Sequence, residues 1–387
     1  MALQPFHEKT AVTGLGWTEF SRGSGTTGAV LVARASLMAI EDAGLKVEDI
    51  DGMVGLFYRD ANATIAPRAL AHMIGLPGLK LDYFNDGGGG WCAAAVTSAA
   101  TMIHSGICKN VLVYVGRNRY SEGRAHRAAD AYEARGPSQF GAPYGSNHAA
   151  VGFGSIAVAN MPRYGLTSLD FAHLAVSQRN NAMVNKKAMM RKPITIEDHQ
   201  NSRLIIWPYR LLDCCQETDG AVALVVSSAE QARDLKHNPV YVMSGAAGGP
   251  DEVPATAATL FEGAGVTQKD VDIVESYDDF TFQCLKQVTD FGFAPMGQAG
   301  DWVREGHITI DGDVPVNTHG GLLSEAHIIG LNHVIEAVQQ LRTEGVVDDL
   351  CEGPHTYDRA KCRQVRDPNI AFVCGVQGGS AVLLRKG

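Results

Sequence analysis

The chain lacks the features that would place it in several large functional classes. It has no basic excess: its formal net charge is −9, whereas a nucleic-acid surface needs a positive face. It has no charged start followed by an apolar run, as a secretory leader would, and no apolar segment long enough to span a bilayer. A cytoplasmic protein with no membrane or nucleic-acid partner is therefore expected. The eight cysteines include no CxxC pair and no CxxC…HxxxH spacing, so no metal site is expected in this chain. Adjacent Cys214 and Cys215 diverge in any regular structure and make poor chelators. In a reducing compartment most of the cysteines read as small buried apolar residues. There is no low-complexity tract.

What is present is a globular composition, with 45% hydrophobic and 19% charged residues over 387 positions. That length exceeds one ordinary hydrophobic core. Two segments echo each other: AIEDAGLKVEDIDGMVGLF (39–57) and LFEGAGVTQKDVDIVESYDDF (260–280). Ala43-Gly44 aligns with Ala264-Gly265, Asp49 with Asp270 and Asp51 with Asp272, at a constant offset of 221. The glycine of each pair suits a helix C-cap, which calls for positive φ. FNDGG (84–88) is echoed by VNTHGG (316–321), each followed by small residues. Strand-like runs occur at 110–116, 221–227, 239–245 and 369–375, and helical periodicity at 28–44, 94–106 and 330–345. These features imply an internally duplicated α/β chain, with halves at 1–235 and 236–387. The interval 117–210 is rich in Arg, Asn and Met and weakly periodic. It reads as loops with helices inserted into the first half, where specificity is usually carried. GSGTTG (23–28) matches a dinucleotide fingerprint in letters only, because no strand directly precedes it and no acidic residue ends a second strand about twenty residues on.

RYGLTSLDFAHLAVSQRNNAMVNKKAMMRKPITIEDHQNSRLIIWPYRLLDCCQETDGAVALVVSSAEQA (163–232) and VNTHGGLLSEAHIIG (316–330) resemble the thiolase superfamily. The resemblance is strongest to the sterol carrier protein x thiolases and the archaeal-type acetyl-CoA acetyltransferases, and it covers nearly the whole chain. It implies an α/β fold in five αβαβα layers, internally duplicated. In that family a cysteine at a helix N-terminus is the nucleophile, where the helix dipole favours a thiolate and an oxyanion. A second cysteine, in a CxGxG turn, is the base.

In YFNDGGGGWCAAAVTSAATMIHSG (83–106), aligning on the downstream helix end places the nucleophile position at Gly89. The alternative, Cys92 as nucleophile, needs a longer loop and a shorter helix. FVCGVQGGSA keeps Cys374 near the second-cysteine position, followed by Gly378, either as base or as a buried strand-end residue. His327 occupies the family's GHP histidine position, and Tyr277, in VESYDDF, replaces the family's Asn or His. The resemblance thus implies Tyr277 and His327 as catalytic residues, with Asp278 positioned to orient the tyrosine. Gly89, Asn317, His319, Gly320 and Gly378 are expected to line the coenzyme A pocket.

A thiolase-like site without its nucleophile can still hold a thioester enolate, which is enough for aldol cleavage of a β-hydroxyacyl-CoA. This combination resembles the steroid side-chain-cleaving aldolases, which differ in having tyrosine at the His327 position. The resemblance implies coenzyme A thioester as substrate with no covalently bound cofactor, a homodimer, and a zinc-ribbon/OB-fold partner chain. The Arg-rich run 116–127 and Lys186-Lys187 are candidate phosphate contacts. A working acyltransferase using Cys92 and a non-catalytic acyl-CoA-binding scaffold are the alternative readings.

Overall fold

Long runs of β-branched and small apolar residues produce strands that are buried on both faces. The computed structural model describes residues 3–56, 65–122, 138–146, 148–342, 350–351 and 356–387. Its strands are β1 (Thr10–Trp17), β2 (Gly52–Leu56), β3 (Leu81–Asn85), β4 (Asn110–Asn118), β5 (Leu204–Ile206), β6 (Tyr209–Arg210), β7 (Asp219–Ser228), β8 (Val240–Ala247), β9 (Ile273–Ser276), β10 (Ile370–Cys374) and β11 (Ser380–Lys386). The helices that position the site are α1 (Gly28–Asp42), α2 (Pro67–Met73), α3 (Cys92–His104), α4 (Ala149–Tyr164), α5 (Ser168–Met183), α6 (Val253–Ala264), α7 (Thr281–Asp290) and α8 (Leu331–Leu341).

Nine strands are hydrogen-bonded in the order β3-β2-β4-β7-β1-β8-β11-β10-β9. The pairing repeats across the middle. In the first part, β3 and β4 flank β2 in parallel, and β7 then β1 follow antiparallel. In the second, Val316 and β10 flank β9 in parallel, and β11 then β8 follow antiparallel. Between the two parts, β1 and β8 share only the pairs Ala11–Tyr241 and Val12–Val240.

Alternation along the strands builds five layers, because successive side chains leave a strand on opposite faces. Leu112 and Tyr114 of β4, with Ala221, Ala223 and Val225 of β7, join α1 and α2 in one outer core. Val111 and Val113, with Val222 and Leu224, face inward to α3 and α8, where Ala371 and Val373 of β10 arrive from the other part. Ile370, Phe372 and Cys374 face outward again, onto α6 and α7. This is the five-layered thiolase arrangement expected from the sequence. Gly44 and Gly265 both have positive φ, at 73° and 71°, as their paired position after a helix end requires.

The insert begins later than its expected boundary. β4 continues through Asn118, so the strand holds the first residues assigned to the insert. Beyond it, α4 and α5 are regular helices of 16 residues each. Periodicity was weak because α5 buries polar side chains, among them Gln178, Arg179 and Asn181, together with its apolar ones. Residues 123–137, including the end of the Arg-rich run, lie outside the described residues. The cysteine expectation also needs one correction: Cys351 and Cys362 form a disulfide, while the other six are free.

Candidate active site

β9 ends at Ser276 and the chain turns before α7, which puts Tyr277 at the inner end of the strand with only 3% of its surface exposed. His327 lies in the turn between a short helix (Gly321–Ser324) and α8. The two meet: Tyr277 Oη is 2.7 Å from His327 Nε2. The space for the tyrosine is made by two glycines. A Cβ on Gly89 would lie 2.2 Å from Tyr277 Oη, and one on Gly330 would lie 2.6 Å from Cδ2 of the same ring. No side chain at 89 is compatible with this tyrosine position, since real Cβ atoms essentially never come within 3.0 Å of another heavy atom. The glycine at 89 and the tyrosine at 277 are therefore sterically coupled.

Two residues that sequence reasoning had assigned elsewhere complete the pair. Arg117, at the end of β4 and 5% exposed, brings Nη1 to 3.0 Å from His327 Nδ1 and 3.5 Å from Nε2. Cys215 Sγ is 3.2 Å from Nδ1, and Thr218 Oγ1 accepts the His327 backbone N–H at 3.2 Å. Burial, then the charges of Arg117, His333 and Arg119, hold the His327 imidazole well below its usual range. It is therefore neutral at pH 7. Burial likewise pushes the Cys215 thiol well up, with Asp279 adding to it. Arg117 had been read as a candidate phosphate contact in the run 116–127, but its place directly after the strand-like run 110–116 was a signal against that. Cys215 belongs to DCCQETDGA, which is stapled to the site by Cys215 N–H donating to Asp279 O at 2.9 Å and Gln216 N–H donating to Leu322 O at 3.0 Å.

The cysteines occupy other positions. Cys92 is the first residue of α3, fully buried, with Sγ directed at Gly330 behind the Tyr277 ring. Burial, and secondarily Cys374, push its thiol far above the usual range. Trp91 is 40% exposed. Cys374 is fully buried at the end of β10, with Sγ 3.6 Å from Ser276 Oγ. Burial pushes its thiol up to about 12, despite the hydrogen bond with Ser276.

Of the residues expected in the coenzyme A pocket, only Gly89 lies against Tyr277. Asn317 is spent on the backbone of Ser276, accepting its N–H at 2.8 Å and donating to its carbonyl at 2.9 Å. Gly320 packs on α5, where a Cβ would lie 2.6 Å from Ala182 Cβ. Gly378 donates to Gln287 Oε1 at 3.1 Å in the outer layer, and a Cβ there would meet Val253 at 2.7 Å. Asp278, expected to orient the tyrosine, has other partners. Its carboxylate accepts N–H groups of Leu322 at 2.9 Å and Leu323 at 3.3 Å, and faces His333 Nε2 at 3.3 Å.

His319 is buried in an ion-pair network instead. His319 Nδ1 lies 3.0 Å, and His333 Nδ1 3.2 Å, from the same Glu275 oxygen, and Glu325 faces His319 at 3.7 Å. Glu275, His319 and His333 are the one group among the described residues whose donor atoms converge closely enough, all within 4.8 Å, to hold a metal ion. Burial opposes ionisation of Glu275, but His319 and His333 overcome it and hold the carboxyl at about 2. For His333, Asp278 and Glu275 overcome the effect of burial and raise the imidazolium to about 9. The insert supports this network: Asn185 Nδ2 donates to His319 O and to Glu325 Oε1, both at 2.9 Å. Lys187 is turned inward, 3.6 Å from Glu325 and 2.6 Å from Gln339 Oε1, rather than presented to a phosphate.

A cleft of about 360 Å³ opens away from the tyrosine, between β3, the outer face of α3 and the end of β8, with Trp91 and Met102 on its walls. It is separate from the Tyr277–His327 pair.

Comparison with known proteins agrees with this architecture. Residues 237–351 match the family model described as Thiolase C-terminal domain-like. The chain is 39% identical over 365 residues to the 17-hydroxy-3-oxo-4-pregnene-20-carboxyl-CoA lyase of Mycobacterium tuberculosis, covering 87% of this chain and 92% of that protein. It is 38% identical over 359 residues to the steroid side-chain-cleaving aldolase of Thermomonospora curvata, covering 87% and 91%. A solved structure described as an Ltp2-ChsH2(DUF35) aldolase superimposes with a TM-score of 0.86 at 33% identity, over 99% of both chains. The chain belongs to the thiolase superfamily, in the sterol carrier protein thiolase branch with these aldolases.

Proposed function

We propose that this chain is an acyl-CoA-dependent carbon–carbon lyase. It cleaves a β-hydroxyacyl-CoA, with a steroid side chain as the acyl group, into a ketone or aldehyde and a shorter acyl-CoA. The observation that carries this reading is the Tyr277 hydroxyl 2.7 Å from His327 Nε2, in the space left by Gly89. Relatives at 38% and 39% identity are named as an aldolase and a lyase.

The chemistry needs a base and an acid, and no bond to the protein. The Tyr277 oxygen, as phenolate, takes the proton of the substrate's β-hydroxyl. The O–H electron pair becomes the new carbonyl π bond, and the Cα–Cβ pair passes to Cα as the thioester enolate. Tyr277 then returns the proton to Cα. His327, neutral, hydrogen-bonds the phenolic oxygen and holds it in place. A tyrosine's ordinary pKa near 10 makes such a partner necessary at neutral pH. Cys92 suits a covalent route poorly, because a thiol raised by burial is not a nucleophile.

The assembly follows the same reading. The exposed edge strand β3, with Tyr83 49% and Phe84 39% exposed, fits a homodimer. The neighbouring structure's title names a DUF35 component, which fits a zinc-ribbon/OB-fold partner chain here. A cytoplasmic site of action belongs to the same reading; among the described residues no helix is long and apolar enough to cross a membrane.

The test is turnover of a β-hydroxyacyl-CoA with a steroid side chain, followed by ketone release and by intact-protein mass. Tyr277→Phe should lower turnover by about 10²–10⁴-fold with the fold intact, while Cys92→Ala stays active. An acyl adduct on the protein that disappears in Cys92→Ala would overturn the reading in favour of an acyltransferase.

A further inference from the structure

The Tyr277–His327 pair is not electrically complete by itself. A phenolate enclosed at 3% exposure needs a positive charge nearby, since burial disfavours an isolated anion. The imidazole beside it is not that charge. Groups from four other places in the chain face His327: Arg117 from the end of β4, Arg119 after it, Cys215 from the turn before β7, and His333 from α8. The cations among them oppose a second positive charge on the ring. The guanidinium is the one of these cations in contact with His327. The His333 imidazolium lies beside the Tyr277 ring, centroids 6.2 Å apart, and is already paired with Glu275 and Asp278. The guanidinium Nη1, 3.0 Å from Nδ1 and 3.5 Å from Nε2 of His327, stands off the Nδ1 lone-pair axis and over the side of the ring. It cannot lose its proton, and it is 5% exposed, so water screens it little.

We propose that Arg117 is the fixed positive charge of this site, a positioning residue that keeps His327 a neutral hydrogen-bond partner and balances the negative charge on the Tyr277 oxygen when Tyr277 acts as base. This rests on the acid–base assignment above. It gives the three residues distinct tasks: Tyr277 exchanges the proton, His327 holds the oxygen, and Arg117 carries the charge. The Cys215 thiol contacts the remaining imidazole nitrogen at 3.2 Å, so the ring is fixed at both nitrogens and beneath a permanent cation.

Arg117→Met and Arg117→Lys test the proposal in the full chain by two independent readouts. The first is the pH profile of kcat on the β-hydroxyacyl-CoA. In Arg117→Met the limb along which turnover rises with pH should move up by about one to two pH units, with KM little changed. Arg117→Lys should recover most of the wild-type profile, because the charge is retained. The second is nitrogen NMR of labelled histidine, with His327 identified by its loss in His327→Gln. In wild type His327 should stay neutral down to acidic pH, whereas in Arg117→Met it should take up a proton at a measurably higher pH, though still below the ordinary histidine range of about 6.5 because burial, His333 and Arg119 remain. An unmoved profile, or a His327 that titrates alike in wild type and Arg117→Met, overturns the role of Arg117. So does a folded Arg117→Lys as impaired as Arg117→Met, since a merely structural arginine would behave that way. If no lyase turnover is found in wild type, the NMR comparison alone decides the role of Arg117, and the failure belongs to the proposed reaction.

Discussion

His327 and His333 lie six residues apart in the sequence and are driven to opposite charge states. Both are desolvated, which by itself favours the neutral ring. For His327 the surrounding charges act in the same direction, because Arg117 and Arg119 are cations. For His333 they act against it, because Asp278 and Glu275 are carboxylates, and they raise the imidazolium to about 9. The VESYDDF segment supplies both environments. Glu275 and Asp278 face the network, while Tyr277, between them in sequence, faces His327. Partners, more than burial, decide what a histidine does here.

The contrast can be broken most severely at His333. His333→Leu would remove the imidazolium that faces both Asp278 and Glu275, leaving Glu275 only His319, which should cost about 3–5 kcal/mol in denaturant unfolding. A wild-type pH titration of stability comes next. The raised pKa of His333 means that its contribution is complete below an unfolded value of about 6.5 and disappears as pH rises through about 9, a change on the order of 3 kcal/mol. The depressed pKa of Glu275 means that its contribution is present above about 4.5 and is lost as pH falls toward about 2. Stability should therefore peak between about pH 5 and 6.5, and a flat curve from pH 6 to 9 would contradict the network. The smallest change expected is at the tyrosine's packing. Gly89→Ala should cost about 1–3 kcal/mol by displacing the Tyr277 ring, and almost nothing in a Tyr277→Ala background. An equal cost in both backgrounds would show that Gly89 and Tyr277 are not coupled.

The frame of the fold could be read from runs such as NVLVYVG and from the paired Ala-Gly steps, because strand period and helix caps are local properties. Gly89 was legible too, since the length of α3 fixes the register of the loop before it. Asn317, His319 and Gly320 were placed in a pocket because VNTHGG resembles the family's catalytic segment. Adjacency in sequence does not say which layer a side chain enters, and here they enter the network and the contact with α5. Arg117 was hidden for the opposite reason. It looks like one charge among several, and only the folded β4 shows that it points at a histidine 210 positions later in the chain.

The two hydrogen-bonded pairs between β1 and β8 are a narrow seam, while α3 and α8 serve strands from both parts. Cutting the chain after β7 would leave each fragment with a wet, greasy inner sheet and an orphaned helix. The fragments should therefore be insoluble separately and recover only when produced together. For the same reason, the slowest-exchanging amides in both parts should open in one event, because water reaches either sheet only by parting the same pair of helices.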